Sequence, residues 1–244
     1  MKTADVTPSD VGAGFSPLVA ADLATASRVL AAQGVFDSAG HVSMRHPERA
    51  DRFLMSRSLA PALVTADDVM EFTLESDAVD PRGRTGFLER YLHGEIYRKR
   101  ADVMAVAHGH AASLVPFGLV ARPLRAMYHN AAFLAAGVPV FDIRERFGDT
   151  DIVVSNTERG AALAEALADK SVVLLRAHGF VAVGPSLQVA VFRAIYSEVN
   201  ARVQLHAESM GGSVAALSEE EGRKADLLNV GSANRSWELW KTQV

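Results

Sequence analysis

Two short apolar runs, each broken by a histidine and a glycine, constrain the fold more than any other feature of this sequence. The first, ADVMAVAHGH, covers residues 101–110, and the second, SVVLLRAHGFVAVG, covers residues 171–184. Runs of small and branched apolar residues of this length are typical of buried strands and too short for helices. The break at RAHG predicts either two strands or one bent strand pair. We therefore expect a sheet in which buried strands end at histidines.

Helical spacing accounts for much of the remaining chain. It predicts helices over residues 17–36 with Gly34 as C-cap, over 87–100, around 127–136, over 157–169 with Thr157 near the start, from about 186 to 209, and after the Gly211–Gly212 break. The segments HVSMRH, DRFLMS and DVMEFTLE are short, extended and separated by prolines or acidic turns, which predicts an antiparallel meander. A further short strand is predicted for VPVFD.

Neither repeats nor a linker divide the chain. Residues 1–16 contain glycine, serine and proline and predict a loose N-terminal arm, while residues 17–244 predict one domain that includes the C-terminal helical segment. Short strands between helices in a chain of this length indicate the α/β class. We expect a single-domain α/β/α sandwich, with helices on both sides of a mostly antiparallel or mixed central sheet.

Composition and charge exclude several classes of partner. The net charge of −4, with no basic stripe, disfavours nucleic acid and anionic membrane surfaces. The chain has no cysteine, so disulfides and thiolate ligands are excluded and any metal must be held by His, Asp or Glu. The N-terminal residues lack the apolar core of a signal peptide, and no stretch approaches the roughly 20 apolar residues of a membrane span. We therefore expect a cytoplasmic protein.

The histidines that end the two apolar runs are candidate metal ligands. Side chains two apart on a strand point to the same face, so His108 and His110 project together. His178 ends the second run, and from a neighbouring strand it could bring a third imidazole to the same place. Three neutral nitrogen donors with an open position are typical of a catalytic metal site. The alternative is that these histidines are polar residues at strand ends with no ligand role.

A carboxylate lies close by in the chain. Glu89 and His93 are four residues apart on the predicted helix 87–100, so they share a helix face, and that helix leads directly into the strand that carries His108. Glu89 could reach a metal or a substrate proton, and His93 is expected to brace the site. Spacing alone favours the alternative, an ordinary surface glutamate on an amphipathic helix.

The order of these motifs resembles the class II aldolase/adducin family over about residues 19–209. The shared features are a Glu-x3-His helix, a His-x-His about 15 residues later, and a distant His-Gly after an apolar strand. The resemblance implies a class II aldolase-like fold and a divalent metal on His108, His110 and His178, with Glu89 as the acid–base carboxylate. Zn²⁺ or Mn²⁺ is expected, and Co²⁺ or Fe²⁺ also suits imidazole ligands.

The same resemblance implies a homotetramer with active sites between subunits. Tyr128 and His129 lie in the region from which family members send an aromatic acid–base group across the interface. We therefore include both residues among the candidate catalytic groups. The C-terminal Trp237 and Trp240 are predicted to pack on their own subunit, with closure of the pocket as the alternative.

Three positions depart from the phosphate-binding pattern of the sugar-phosphate members. His41 stands where those enzymes have Asn in a Gly-Asn turn, Arg57 lies between Ser56 and Ser58, and Phe87 with Leu88 replaces a Ser-Ser pair before Glu89. Bulky apolar side chains do not suit a phosphate, so we do not expect a phosphorylated sugar. An arginine fork binds a carboxylate in two parallel hydrogen bonds. Together with donors from Ser56, Ser58 and His41 and an apolar wall from Phe87, it favours a planar aromatic acid; a surface role for Arg57 is the alternative.

Several segments resemble the decarboxylase branch of the family, which acts on hydroxylated aromatic or pyridine dicarboxylates. These are GHVSMRHP, FLMSRSLAP and DDVMEF. The prediction is a divalent-metal-dependent decarboxylase of a 3,4-dihydroxyphthalate-like small molecule in aromatic-ring degradation. One alternative is an aldolase or epimerase acting on a non-phosphorylated hydroxy-carbonyl substrate. Another is a non-catalytic interaction module like the adducin head, which has no need of the three histidines and Glu89.

Overall fold

The computed structural model describes residues 14–244, so the predicted arm, residues 1–16, falls almost entirely outside the described residues. The strands within this range are β1 (His41–Arg45), β2 (Arg52–Ser56), β3 (Val69–Thr73), β4 (Ala105–Gly109), β5 (Val140–Phe141), β6 (Val172–Leu175) and β7 (Gly179–Gly184). The α-helices are α1 (Pro17–Ala32), α2 (Arg90–Lys99), α3 (Arg144–Phe147), α4 (Thr157–Leu167), α5 (Leu187–Ser209) and α6 (Glu219–Lys241).

The seven strands form one sheet in the order β3-β2-β1-β4-β7-β6-β5. The predicted meander is confirmed, since β1 pairs with β2 and β2 with β3 in antiparallel fashion. The run 171–184 forms two antiparallel strands, β6 and β7, with the Arg-Ala-His break as the turn between them. Strand β5 pairs with β6 in parallel, so the sheet is mixed, as expected.

Helices cover both faces of the sheet. One hydrophobic core contains buried residues of α1, α5 and α6 against one face, with Leu30, Phe192 and Trp237 among them. The other core joins α2 and α4 to the opposite face through residues such as Tyr97 and Leu163. Alternate residues of each buried strand enter alternate cores, as the pleat requires. The predicted α/β/α sandwich is confirmed.

Local signals place several helix ends. Helix α1 starts at Pro17 behind the N-cap Ser16, whose hydroxyl accepts the Leu18 N–H, and Gly34 follows its end with φ +71°. Helix α4 begins at Thr157, as predicted, behind the N-cap Asn156. No α-helix in residues 14–244 is long and apolar enough to cross a membrane.

Two helix predictions differ from the structure. The segment predicted as a helix around 127–136 is a 3-10 helix over His129–Leu134, kinked at Ala131. The Asn229 side chain of α6 donates to the His129 carbonyl, which an α-helix there would use, and Asn200 of α5 accepts the Met127 N–H just before the segment. The helix predicted over 87–100 begins later, at Arg90, because a bridge between Arg57 and Gly86 keeps the preceding chain extended.

Trp237 and Trp240 of α6 are buried against their own chain. Trp237 is 3% exposed, and the Trp240 ring lies 6.5 Å from Phe192 and 6.2 Å from Tyr196 between ring centroids. Both contacts are with α5. The prediction that these tryptophans pack on their own subunit agrees with this arrangement.

Candidate metal centre and adjoining cavity

The sheet and α2 bring the predicted carboxylate and the three predicted histidine ligands together. Glu89, His108, His110 and His178 each offer one ligand atom, and these four atoms lie within 4.8 Å of one another. Strand β4 carries His108 and leads into His110, while His178 lies in the turn between β6 and β7, the two strands that follow on that side of the sheet. Glu89 is the N-cap of α2 and not a residue of its first turn, which points its carboxylate toward the histidines.

Backbone carbonyls fix the ring orientation of two of the histidines. Nδ1 of His108 lies 3.0 Å from the Phe180 carbonyl oxygen, and Nδ1 of His178 lies 2.9 Å from the Ile152 carbonyl oxygen. A carbonyl can only accept, so Nδ1 carries the proton and donates in both cases. The neutral rings therefore present an unprotonated Nε2 to the centre of the cluster. Metal-binding histidines typically show this arrangement.

Asp37 fixes the ring orientation of His110 in the same way. This residue was not among those predicted from the sequence. Its two carboxylate oxygens lie 3.1 and 3.2 Å from Nδ1 of His110. The same carboxylate accepts the backbone N–H groups of Ala39 and Gly40, which closes an Asx turn. The signal available in the sequence was the Asp-x-x-Gly turn directly before β1. It identifies a turn but gives no indication that the turn faces His110.

The donor atoms of the cluster suit a divalent cation. Nε2 of His108 is buried and has no hydrogen-bond partner among residues 14–244, although the Glu89 carboxylate lies 3.3 Å away. Buried polar atoms without a partner are rare and call for an explanation such as a bound ion. Imidazole nitrogens and a carboxylate oxygen are ligands that Zn²⁺, Mn²⁺, Co²⁺ and Fe²⁺ accept. Glu89, His108, His110 and His178 could therefore hold a metal.

Glu89 lies between two imidazoles and a backbone donor. Its Oε2 is 3.3 Å from Nε2 of His108 and 3.4 Å from Nε2 of His178, while Oε1 accepts the Val154 N–H at 3.0 Å. Burial raises the pKa of Glu89, but His108 and His178 in their protonated form lower it by more, to well below its usual range. Burial lowers the pKa of His178, but Glu89 raises it by more, so its pKa lies above the usual value.

The turn that presents His178 has an unusual backbone. Ala177 has φ +56°, and Ile152, whose carbonyl holds His178, has φ +57°, a value that is exceptional for a β-branched residue. Gly179 has no room for a side chain, because a Cβ there would lie 2.2 Å from the carbonyl oxygen of Gly109. The His-Gly motif is thus explained by the close approach of the backbones of β7 and β4. Strained positions of this kind concentrate at functional sites.

A cavity of about 460 Å³ opens beside Glu89. Its walls are formed by Ser38, Ala39, His41, Ser58, Leu59, Ala60, Phe87, Leu88, Glu89 and Val153. Glu89 therefore borders both the cavity and the histidine cluster. Leu88 is 58% exposed and Phe87 is buried with its ring 4.6 Å from that of His41, so both give the cavity an apolar wall. Hollows of about 490 and 590 Å³ elsewhere have no histidine among their described walls.

His41 belongs to a buried hydrogen-bonded chain behind the cavity. It lies opposite His108 in the β1–β4 pairing, and its Nδ1 is 2.8 Å from Nε2 of His93. Ser43 bonds both Nδ1 of His93 at 2.6 Å and the hydroxyl of Tyr97 at 2.7 Å. Burial is the largest cause that lowers the pKa of His93, to about 3. His93 thus supports His41 and lies outside the group of metal-ligating atoms.

The predicted arginine fork is occupied on one side. Nε of Arg57 lies 2.6 Å from Oδ1 of Asp68, and the Arg57 side chain is 39% exposed. Arg57 is absent from the described walls of the cavity, whereas the next residue, Ser58, forms part of them. Ser56 is buried at the end of β2 and is likewise not a wall residue.

Tyr128 and His129 lie apart from the cluster within their own chain. The Tyr128 ring packs against α5, with its centroid 6.4 Å from that of Tyr196, and its buried hydroxyl has no hydrogen-bond partner among the described residues. Burial is the largest cause that raises the pKa of Tyr128. His129 is exposed, and its Nδ1 lies 3.4 Å from Oδ1 of the adjacent Asn130.

Comparisons with known proteins agree with this geometry. The family described as Class II Aldolase and Adducin N-terminal domain matches residues 21–205. The decarboxylase tropJ of Talaromyces stipitatus is 37% identical over 86% of this chain and 88% of its own length. A 3,4-dihydroxyphthalate decarboxylase of Arthrobacter keyseri is 30% identical over 96% of this chain and 97% of its own length.

The fold recurs in solved structures. The crystal structure of an aldolase II superfamily protein from Pseudomonas syringae superposes with a TM-score of 0.79, at 22% identity, over 96% of this chain and 94% of that one. The predicted resemblance is confirmed, and so is the prediction of an enzyme, because relatives along nearly the whole chain are named decarboxylases. The chain therefore belongs to the class II aldolase and adducin family and is a lyase.

Proposed function

We propose that the protein is a divalent-metal-dependent decarboxylase of a hydroxylated aromatic acid, with 3,4-dihydroxyphthalate as the representative substrate. One observation carries the proposal: Glu89 borders both a three-imidazole cluster and a cavity with an apolar aromatic wall. Such a site can hold a planar ring against Phe87 with its polar substituents toward the histidines. The names of two relatives, a decarboxylase and a 3,4-dihydroxyphthalate decarboxylase, support the same chemistry.

In this proposal His108, His110 and His178 hold the metal through Nε2. The tautomers fixed by Phe180, Ile152 and Asp37 support that role. A bound divalent cation would act as a Lewis acid for a substrate oxygen, a contribution of several kcal/mol. Zn²⁺ or Mn²⁺ is our first expectation, with Co²⁺ or Fe²⁺ as further candidates.

Glu89 is proposed to move one proton during the reaction. Its carboxylate forms part of the cavity wall, so it can take the proton of a ring hydroxyl when the substrate binds. When the carbon–carbon bond to the carboxylate breaks, CO2 leaves and the electron pair remains on the ring carbon. The proton held by Glu89 then passes to that carbon. Proton, charge and bonds balance without any further reactant.

The cavity walls are proposed to position the substrate ring. Phe87 supplies a flat apolar surface, and Ser58 and His41 add polar groups along the same wall. Arg57, with Ser56 behind it, is proposed to bind the carboxylate that stays on the ring. The Asp68 contact at Nε leaves the terminal nitrogens of the guanidinium as donors and holds the group in place. Replacing Arg57 with alanine is expected to raise KM for a dicarboxylate.

We further propose a homotetramer in which Tyr128 or His129 completes the site of a neighbouring subunit. The buried Tyr128 hydroxyl has no hydrogen-bond partner among the described residues of its own chain, which supports a role toward another chain. Tyr128→Phe is expected to lower kcat without changing the molecular mass of the assembly in solution. An unchanged kcat would remove Tyr128 from the mechanism.

The test of the proposed function is CO2 release from purified protein loaded with Mn²⁺ or Zn²⁺ and supplied with 3,4-dihydroxyphthalate. The control is the same protein after chelation and after metal has been restored. Metal-dependent CO2 release is the expected result. Protein that demonstrably binds metal but releases no CO2 would instead favour retro-aldol cleavage of a non-phosphorylated hydroxy-carbonyl substrate.

A further inference from the structure

Four buried side chains connect the cavity to the protein interior through consecutive hydrogen bonds. The order is His41, His93, Ser43 and Tyr97, with contacts of 2.8, 2.6 and 2.7 Å. All four residues are at most 2% exposed. The metal cluster does not include them, and the proposed proton path through Glu89 does not use them. An uninterrupted polar chain of this kind in a hydrophobic core needs a reason, because burying polar groups is costly.

The hydroxyl of Tyr97 fixes the direction in which these bonds are donated. Its O–H has one acceptor among residues 14–244, the Ser43 oxygen. Tyr97 therefore donates to Ser43. The Ser43 hydroxyl is then free to donate to Nδ1 of His93. The reverse order would leave the Tyr97 proton buried without an acceptor, which native structures avoid.

The same direction of hydrogen-bond donation continues through the imidazoles of His93 and His41 to the cavity. Because Nδ1 of His93 accepts, its Nε2 holds the proton and donates to Nδ1 of His41. His41 must then carry its own proton on Nε2, the ring nitrogen that no described residue bonds. We propose that the Tyr97–Ser43–His93 chain locks His41 in the Nε2–H tautomer, so that His41 is a fixed hydrogen-bond donor to a substrate carboxylate.

The chain serves orientation and not proton supply. If these side chains delivered a proton to the substrate, each would transfer its proton to the next residue toward His41. Tyr97 would then be left as a buried tyrosinate. Burial, the largest influence on Tyr97, raises its pKa and keeps the phenol neutral. Tyr97, Ser43 and His93 are therefore positioning residues, and His41 is the group that touches the substrate.

This inference rests on the proposed function and sharpens its substrate class. The His41 ring lies 4.6 Å from the Phe87 ring, so a substrate ring stacked on Phe87 would bring its edge to His41. A fixed donor can donate to a carboxylate oxygen, but it rejects a substrate group at that position that can itself only donate. Sites built on buried donors discriminate strongly against ligands that leave them unpaired.

The first test reads the tautomer directly, on full-length Zn²⁺-loaded protein labelled with ¹⁵N in histidine. The variant His41→Gln assigns the His41 signals among those of the eight histidines. The expected spectrum has a protonated, pyrrole-type Nε2 and an unprotonated, pyridine-type Nδ1 at His41. The opposite pattern, or rapid exchange between the two, overturns the inference.

The second test removes links in the chain and measures KM and kcat separately with 3,4-dihydroxyphthalate. Ser43→Ala is expected to raise KM about tenfold, the effect of losing one oriented hydrogen bond to a charged group, with kcat nearly unchanged. Tyr97→Phe keeps the ring and its packing and is expected to have a smaller effect in the same direction. Tyr91→Phe is the matched control, because among residues 14–244 the Tyr91 hydroxyl bonds Arg90 and no member of the His41–His93–Ser43–Tyr97 series.

The two tests separate this inference from the proposed function. Wild-type protein that binds metal but releases no CO2 refutes the decarboxylase, while the ¹⁵N spectrum still decides the tautomer of His41. Active protein in which Ser43→Ala changes neither the His41 spectrum nor KM refutes the lock and leaves the decarboxylase standing. Should Ser43→Ala fail to fold, Tyr97→Phe and the wild-type spectrum carry the decision.

Discussion

The Glu89 carboxylate lies 3.3 Å from Nε2 of His108, so the proposed proton carrier and a proposed metal ligand share one contact. This proximity lets one side chain serve substrate and metal cluster together, because Glu89 also forms part of the cavity wall. The Val154 N–H holds the other carboxylate oxygen and fixes the orientation of the group. The role of Glu89 can therefore be tested by removing its charge while keeping its shape.

Glu89→Gln is expected to lower kcat by about 10²- to 10⁴-fold, the usual contribution of a positioned proton-transfer group. The amide oxygen can still accept the Val154 N–H, so the fold and the three imidazole ligands should be retained. Metal content and kcat are measured on the same preparation. Glu95→Gln is the matched control, since Glu95 is a buried glutamate of the same helix that pairs with Arg98. A kcat within twofold of wild type would exclude Glu89 as the proton carrier.

His178→Ala is expected to abolish metal binding and activity while the fold persists. The side chain contributes one of the three Nε2 atoms and holds the Ile152 carbonyl, but it is not part of either hydrophobic core. Isothermal titration with Zn²⁺ and far-UV circular dichroism measure the two properties. His206→Ala, at an exposed position of α5, is the control and should bind metal normally. Full activity in a metal-free His178→Ala protein would refute the assigned site.

Asp37→Asn is expected to weaken metal binding about 10- to 100-fold, the usual effect of losing a group that orients a ligand. Asparagine can keep the turn, because its oxygen still accepts the Ala39 and Gly40 N–H groups. Its NH2 group, however, would face Nδ1 of His110 and favour the tautomer whose Nε2 is protonated and cannot bind metal. The Kd for Zn²⁺ is the measurement, with Asp102→Asn, at an exposed Arg100 contact, as control. An unchanged Kd would show that Asp37 serves the turn alone.

Sequence reasoning found the cluster because strand periodicity carries the relevant information. Side chains two apart share a face, so His108 and His110 could be paired without knowing the fold, and the apolar runs gave the strands. It could not place Asp37 or Ile152. These residues act on the histidines across tertiary contacts, Asp37 from a turn 73 positions away from His110 and Ile152 through a backbone carbonyl. A carbonyl has no sequence signature.

Two further predictions from the sequence differ from the structure, each for its own physical reason. Glu89 was expected on the helix face beside His93, whereas it is the N-cap, because the helix begins at Arg90 and not at residue 87. The segment around 127–136 was expected to be an α-helix from its helical spacing. There, Asn229 donates to the His129 carbonyl, and this tertiary contact overrides the local preference.

Gly179→Ala is expected to disrupt the site and the sheet together, in contrast with Gly231→Ala. A Cβ at position 179 would lie 2.2 Å from the Gly109 carbonyl oxygen and 3.1 Å from Cδ2 of His110, so β7 must move away from β4. We expect a loss of about 1–3 kcal/mol in unfolding free energy, as for overpacked interiors, and weaker metal binding. At Gly231, an exposed position within α6, nothing lies within 4 Å of the added Cβ. There alanine should stabilise the helix by about 0.5–1 kcal/mol.

Urea unfolding and Zn²⁺ titration of both glycine variants check this prediction. Gly179→Ala should lower both the free energy of unfolding and the affinity for Zn²⁺. Gly231→Ala should raise the free energy of unfolding and leave the affinity for Zn²⁺ unchanged. If Gly179→Ala binds Zn²⁺ as tightly as wild type, the spacing of β4 and β7 does not control the cluster, and the His-Gly motif needs another explanation. If both variants lose stability equally, the effect belongs to glycine flexibility in general and not to the contact with Gly109.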